Sequence, residues 1–205
     1  MVFEDIAGAI ERARALANAG GRRILGIAGP PGGGKSTVAR AVVAELGDQA
    51  RLVPMDGFHL AQAELVRLGR RDRMGAPDTF DAAGYAALLT RLKSDEPVVY
   101  APEFRREIEE PIAGAIAVPN VTPLVVTEGN YLLLDDERWG PIRHLLDETW
   151  YVETDEELRV QRLIQRHIQF GKTPEYARAW VLRSDEHNAQ VTAETAGRAD
   201  VLVRL

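Results

Sequence analysis

The 205-residue sequence predicts an α/β fold: a three-layer architecture with a parallel central sheet flanked by helices. Three observations carry that expectation. Short branched apolar runs alternate with stretches of helical period, a glycine cluster joins the first such run to a helix, and the most apolar run ends in an acidic residue.

The composition narrows the class. With 45% hydrophobic and 27% charged residues, the chain is neither disordered nor fibrous, and its length suits a single domain over residues 1–205. Twenty-five Lys plus Arg against 31 Asp plus Glu leave a net charge of −6, which opposes non-specific binding to nucleic acid or to an anionic membrane surface. Cysteine is absent, so thiolate nucleophiles, disulfides and Cys-based zinc sites are excluded, and a cytoplasmic location is the expectation. No run approaches the ~18 apolar residues of a membrane helix. Glu4 and Asp5 stand where a signal peptide would carry Lys or Arg, so neither membrane insertion nor export is expected.

Taken in order, Ile6, Ile10, Ala13, Leu16 and Ala17 recur at helical spacing, predicting an amphipathic helix over the first twenty residues, ended by Gly20 and Gly21. Ile24 to Ala28 is a short buried strand. A second helix runs from Lys35 to about Leu46 with Gly47 as its C-cap. Arg51 to Met55 is the next strand, leading into the loop Asp56-Gly57-Phe58-His59. Leu60 to Leu68 is helical, Gly69 to Thr79 is a basic loop, and Asp81 caps a helix to about Leu92. Val98 to Tyr100 is a short strand before a charged loop from Pro102 to Pro111. Val121 to Thr127 is the clearest buried strand and ends at Glu128-Gly129. Pro141 to Leu146 is helical and Thr149 to Val152 extended. Thr154 with Glu157 forms a capping box for a helix to about Gln169, another helix spans Pro174 to His187, and Ala199 to Val203 is the last strand.

The segment Gly29-Pro30-Pro31-Gly32-Gly33-Gly34-Lys35-Ser36 fits G-x-x-x-x-G-K-[ST] between a strand and a helix, the context that defines a P-loop. Together with Thr37, these residues are the expected nucleotide-binding set. Its glycines let backbone N–H groups converge on phosphate oxygens at the positive end of the helix dipole. Lys35 would reach the β- and γ-phosphates of ATP, and the Ser36 hydroxyl would ligate Mg²⁺. Glu128, at a strand end, has the position of the acidic partner for that metal. Asp56, after the preceding strand, is placed to take a proton from an attacking hydroxyl as general base, or serves only to form its turn. Arg159, Arg162 and Arg166 share one helix face, where their mutual repulsion calls for an anion or for neighbouring acids. A mobile arginine-bearing helix closing over a transferred phosphoryl group would answer it. His59 follows the Asp56 loop and either touches substrate or packs there.

Beyond the P-loop, Pro54-Met-Asp-Gly-Phe-His59, Pro77-Asp-Thr-Phe-Asp81 and Glu128-Gly-Asn-Tyr131 resemble the uridine kinase and pantothenate kinase family over almost the whole chain after the first helix. Within it the chain is similar to the bacterial fructose transport system kinase group. The resemblance implies a P-loop NTPase fold and transfer of the ATP γ-phosphoryl to a hydroxyl of a small polar metabolite, a sugar such as fructose being the first expectation. It also implies Asp56 as catalytic base and Arg162 and Arg166 as lid arginines. By the same resemblance Asp81 holds sugar hydroxyls and Arg106 is a substrate-side arginine, while the residues themselves also allow an N-cap and a surface ion pair. One departure is Phe104-Arg105-Arg106, where related sequences read Phe-Asp-Arg. A pantothenate- or nucleoside-type kinase, or a regulatory NTP hydrolase, are the alternatives. The expected partners are ATP and a hydroxyl-bearing metabolite, with no nucleic acid and a homodimer left open.

Overall fold

A computed structural model describes residues 1–205. The elements are β1 (Val2–Phe3), α1 (Ile6–Ala17), β2 (Arg23–Ala28), α2 (Lys35–Leu46), β3 (Ala50–Leu52), α3 (Gln62–Arg67), α4 (Ala82–Leu92), β4 (Val98–Arg105), β5 (Glu110–Pro119), β6 (Leu124–Glu128), α5 (Gly140–Arg143), β7 (Glu148–Glu153), α6 (Glu156–Gln169), α7 (Pro174–Trp180), α8 (Glu186–Ala193) and β8 (Val201–Arg204). Six strands form one sheet in the order β1-β8-β7-β2-β6-β3, every pairing parallel. The α/β class with a parallel sheet between helical layers is therefore as the sequence predicts.

Strand β2 lies between β6 and β7, with Ile27 opposite both Glu128 and Trp150. A strand buried on both faces needs apolar side chains on both, which is why β2 and β6 are nearly continuous apolar runs. Ile24, Ala28 and Val125 point to a core layer shared with Tyr85, Leu88 and Leu89 of α4. Leu25, Ile27 and Val126 point to the other layer, built with α1 and α2. Fully burying Trp139 in one layer and Trp150 in the other contributes ~1.5–3 kcal/mol each. At Gly26 any side chain would collide with Leu146, since a Cβ would fall 2.6 Å from its Cδ1.

Several boundaries differ from expectation, each for a physical reason. The first twenty residues are not one helix: Val2–Phe3 pairs with β8 at the sheet edge, and Asp5 caps α1 by accepting from Gly8 N at 2.8 Å. The charged segment from Pro102 to Pro111 is not a loop but the tip of an antiparallel ribbon, β4 with β5. Its outward-facing Glu103 and Arg105, its bulge between Ala101 and Glu103 and its prolines conceal the strand alternation. The N-cap of α6 is Asp155, which accepts from Leu158 N at 2.9 Å, while the Oγ1 of Thr154 is left without a partner. The helix expected over 174–187 continues to Ala193, interrupted by a π-helical turn at Val181–Asp185.

Candidate active site

The P-loop bridges β2 and α2. Gly32, at φ +75, permits a left-handed turn and a close approach: a Cβ there would lie 2.7 Å from Leu163 and 2.9 Å from the carbonyl of Arg159, both on α6. Gly34, at φ +91, delivers the chain into α2, so Lys35 and Ser36 begin that helix. Lys35 is buried, with its Nζ 2.9 Å from the carbonyl of Pro30, and burial pushes its ammonium down to about 8 against the opposing pull of Glu128 and Asp56. The Ser36 hydroxyl donates to Glu128 Oε1 at 2.8 Å, which joins the helix start to the end of β6.

The cleft beside this loop is lined by Lys35, Ser36, Asp56, His59, Arg106, Glu128 and Arg166, among others. Parallel pairing explains the convergence, because β3 and β6 run side by side and open at the same edge, placing the segment after β3 next to Glu128. The two carboxylates are driven apart. Burial alone would raise Asp56, but Arg106, with its Nη2 2.8 Å from Asp56 Oδ2, then His59, Lys35 and Arg166 together outweigh it and hold the carboxyl below its usual range. Glu128 is raised, first by burial and then by the Asp56 charge. Such a split separates an ionised base from a group whose charge waits for a cation.

His59 is packed between aromatic rings, 4.0 Å from Phe80 and 4.5 Å from Phe104 by ring centroid, with Nδ1 2.8 Å from the carbonyl of Asp56. Burial pushes its imidazole down, toward the neutral form. Arg166 of α6 lines both this cleft and the adjoining groove over Gly32, Lys35, Ser36 and Thr37. Burial and the nearby Arg106 lower its pKa, and no carboxylate forms an ion pair with it, so it is a desolvated cation directed at the space between P-loop and Asp56.

Across the mouth, charges from four segments are linked. Arg71 Nη2 donates to Glu109 Oε2 at 2.8 Å and Lys172 Nζ lies 3.8 Å from Glu109 Oε1. Lys172 also donates to His167 Nδ1 at 3.0 Å, which leaves Nε2–H to donate to Asp185 Oδ2 at 2.9 Å. Glu109, at the ribbon tip, has φ 51, the one non-glycine residue in the left-handed region.

Of the residues expected from sequence, Pro31, Gly32, Lys35, Ser36, Asp56, His59, Arg106, Glu128 and Arg166 line this cleft, Gly34 and Thr37 line the adjoining groove, and Gly29, Pro30 and Gly33 of the P-loop line neither. Arg162 is exposed and lines the groove above the P-loop rather than the cleft. Asp81 does not belong to the cleft: it is exposed, and its Oδ1 accepts from Gly84 N at 2.8 Å as the N-cap of α4. Its contacts show the N-cap role, one of the two that the sequence allowed. Arg159, on the same helix face in the sequence, is 4% exposed, with Nη2 2.6 Å from Glu186 Oε1 and Nη1 3.4 Å from the carbonyl of Pro31. The cleft also contains Arg71, Asn130, His167, Lys172, Asp185 and Asn188, which no spacing rule singles out; only Asn130 lies in a segment, Glu128 to Tyr131, that the sequence marks.

Mg²⁺ can be tested against these residues. It prefers one or two protein oxygens plus phosphates and water over an all-protein cage. The adjacent Ser36 hydroxyl and Glu128 carboxylate meet that demand, and no group of three or more His, Asp or Glu side chains offers a competing cage.

The sheet order, the P-loop and the strand-end carboxylates define a P-loop kinase fold for small molecules. The model of the phosphoribulokinase / uridine kinase family matches residues 24–204, and the chain belongs to that family. It is therefore an ATP-dependent phosphotransferase acting on a small polar metabolite, and the family implies Mg²⁺ dependence. Protein YggC of Escherichia coli K12 is 31% identical over 90% of this chain and 78% of its own. The ATP-dependent kinase-like protein notR' of Aspergillus versicolor is 35% identical over 66% of this chain and 84% of its own. A solved structure of a candidate fructose transport system kinase from Silicibacter sp. TM1040 superimposes with a TM-score of 0.87 at 33% identity, covering 97% of this chain and 98% of that one. No helix is long and apolar enough to cross a membrane.

Proposed function

We propose that the protein transfers the γ-phosphoryl group of ATP to a hydroxyl of a sugar-like metabolite, with fructose the first candidate. The observation that carries this reading is the meeting, in one cleft, of an ionised Asp56, the P-loop Lys35 and the unpaired Arg166. The Silicibacter relative, named for fructose, supports the choice of sugar.

Each residue then has a task. The P-loop N–H groups and Lys35 hold the phosphates, and Arg166 meets the charge that spreads over the equatorial oxygens during transfer. Asp56 accepts the proton of the attacking hydroxyl; it is kept ionised by Arg106, which also orients it. Ser36 and Glu128 would hold Mg²⁺, which when bound offsets phosphate charge. The ring sandwich of Phe80, His59 and Phe104 forms a dry wall beside the base and limits attack by water.

The test is transfer of labelled phosphate from ATP to D-fructose, uridine, pantothenate and D-glycerate offered separately. Labelled fructose phosphate supports the reading. Hydrolysis of ATP at full rate with no labelled acceptor would replace the kinase by a nucleotide-dependent switch.

A further inference from the structure

Asn188, on α8, lines the cleft alongside Gly75, Asn130 and Asp185 and is 2% exposed. Its Oδ1 is buried with no hydrogen-bond partner. Beyond the helix ladder, the one bond at this residue is made by its backbone carbonyl, which accepts from Thr192 Oγ1 at 2.7 Å. Native interiors rarely leave an amide in that condition, and those that do so commonly reserve it for a ligand or an ordered water. The geometry around it preserves the space: Gly75 stands at φ +99, and even a Cβ there would come only within 3.9 Å of Asn188 Nδ2.

The backbone supplies the reason for its position. The π-helical turn at Val181–Asp185 inserts one extra residue into an otherwise continuous helical run and rotates the succeeding residues onto another face. Asp185 and Asn188 thereby join Trp180, which precedes the turn, in the cleft. On this wall the Asp185 carboxylate is already engaged by His167 Nε2 and Trp180 is flanked by Lys172 and Arg183, so Asn188 is the polar group left free.

An amide offers a donor and an acceptor side by side. A hydroxyl or an amide edge satisfies both, whereas a carboxylate or an ionised phosphate satisfies the N–H only and leaves the oxygen stranded, whichever way the amide is turned; in the sugar-like acceptor proposed above, which carries no amide, the matching group is a hydroxyl. We propose that Asn188 is a specificity-determining residue that binds a second hydroxyl of the acceptor, so that the acceptor is a polyol carrying at least one hydroxyl besides the one phosphorylated. This rests on the kinase reading above.

The experiment measures steady-state kinetics of the full chain with D-fructose and its monodeoxy analogues, for wild type, Asn188→Leu and Asn188→Asp. Asn188→Leu is expected to raise the KM for fructose about tenfold or more while the KM for ATP stays within about twofold. One deoxy analogue should lose as much with the wild type and nothing further with Asn188→Leu. Thermal unfolding without acceptor controls for a structural role: removing an unpaired buried amide should leave Tm unchanged or higher. Asn188→Asp, equal in shape but without the N–H donors, should fall between. An unchanged acceptor KM in Asn188→Leu, or a rise shared equally by ATP, overturns the assignment while leaving the kinase intact. Absence of transfer to any acceptor by wild type overturns the kinase reading and this one with it.

Discussion

At the scale of single residues, the chemistry turns on how Asp56 stays charged in a site that would otherwise neutralise it. Burial raises its pKa, and Arg106, His59, Lys35 and Arg166 lower it by more. A base with a depressed pKa is ionised at neutral pH, and activity declines only as pH falls through that low value. Its contribution to stability is likewise present above its unfolded value and lost as pH falls through the folded one. Removing Arg106 deletes the largest lowering influence, so Arg106→Gln should shift the acid limb of the kcat/KM profile to higher pH, as well as weakening binding. Asp56→Asn should reduce kcat by about 10²–10⁴-fold, the usual share of a general base, while nucleotide binding measured by calorimetry persists. A limb that stays in place in Arg106→Gln would mean that the profile reports another group. Lys35 differs, because its charge is held against burial and so costs stability before ATP arrives. Lys35→Met should lower kcat by about 10²–10³-fold, as expected for one preorganised phosphate contact, with Tm unchanged or raised.

At the scale of elements, α6 is seated on the P-loop by Gly32 below Leu163 and by Arg159, which reaches Glu186 of α8 and the carbonyl of Pro31. The helix is thus held to the P-loop from Arg159 to Leu163, with Arg162 projecting between these two anchors and Arg166 following the second. Breaking the buried pair leaves one charge uncompensated, so Arg159→Ala should destabilise the protein by ~3–5 kcal/mol in chemical denaturation, less by the part that the 20% exposure of Glu186 relieves. Adding Glu186→Ala should cost less than the sum of the two single changes. Legibility in the sequence varied with the physics of each element. The strands β2, β6 and β7 and the helix α2 were readable, because burial on both faces or a single apolar stripe imposes a period on the residues. The ribbon β4–β5 was not, since one face is solvated and a bulge breaks its alternation. The P-loop and Glu128 were readable because each closes a strand, and Asp56 because it follows one, although β3 ends at Leu52 rather than the expected Met55 and Asp56 sits in the 3-10 turn Met55–Phe58 beyond it. Lys172, Asp185 and Asn188 were not, because they arrive through a connection and a π-helical turn whose register no local period encodes.

At the scale of the whole molecule, the net charge of −6 disguises its distribution. ATP is anionic, so the average field of the protein opposes its approach, while Lys35, Arg162 and Arg166 around the P-loop attract it locally. The two components screen differently. A weak field spread over the whole surface acts over long distances and vanishes within a Debye length, ~10 Å at 0.1 M and ~3 Å at 1 M. The buried Lys35 and the half-buried Arg166 are screened less, and the exposed Arg162 lies between these extremes. If local attraction governs capture, the KM for ATP rises with ionic strength, and Arg162→Gln raises it at low salt and flattens its salt dependence. If the global charge governs, added salt relieves repulsion and KM falls. The arginine-lined groove favours the first outcome, since field lines concentrate where the low-dielectric wall of α6 faces the P-loop. Initial rates between ~0.05 and ~0.5 M salt, with wild type and Arg162→Gln in parallel, distinguish the two: a KM that falls with salt in both would show that Arg162 is only a solvated helix residue.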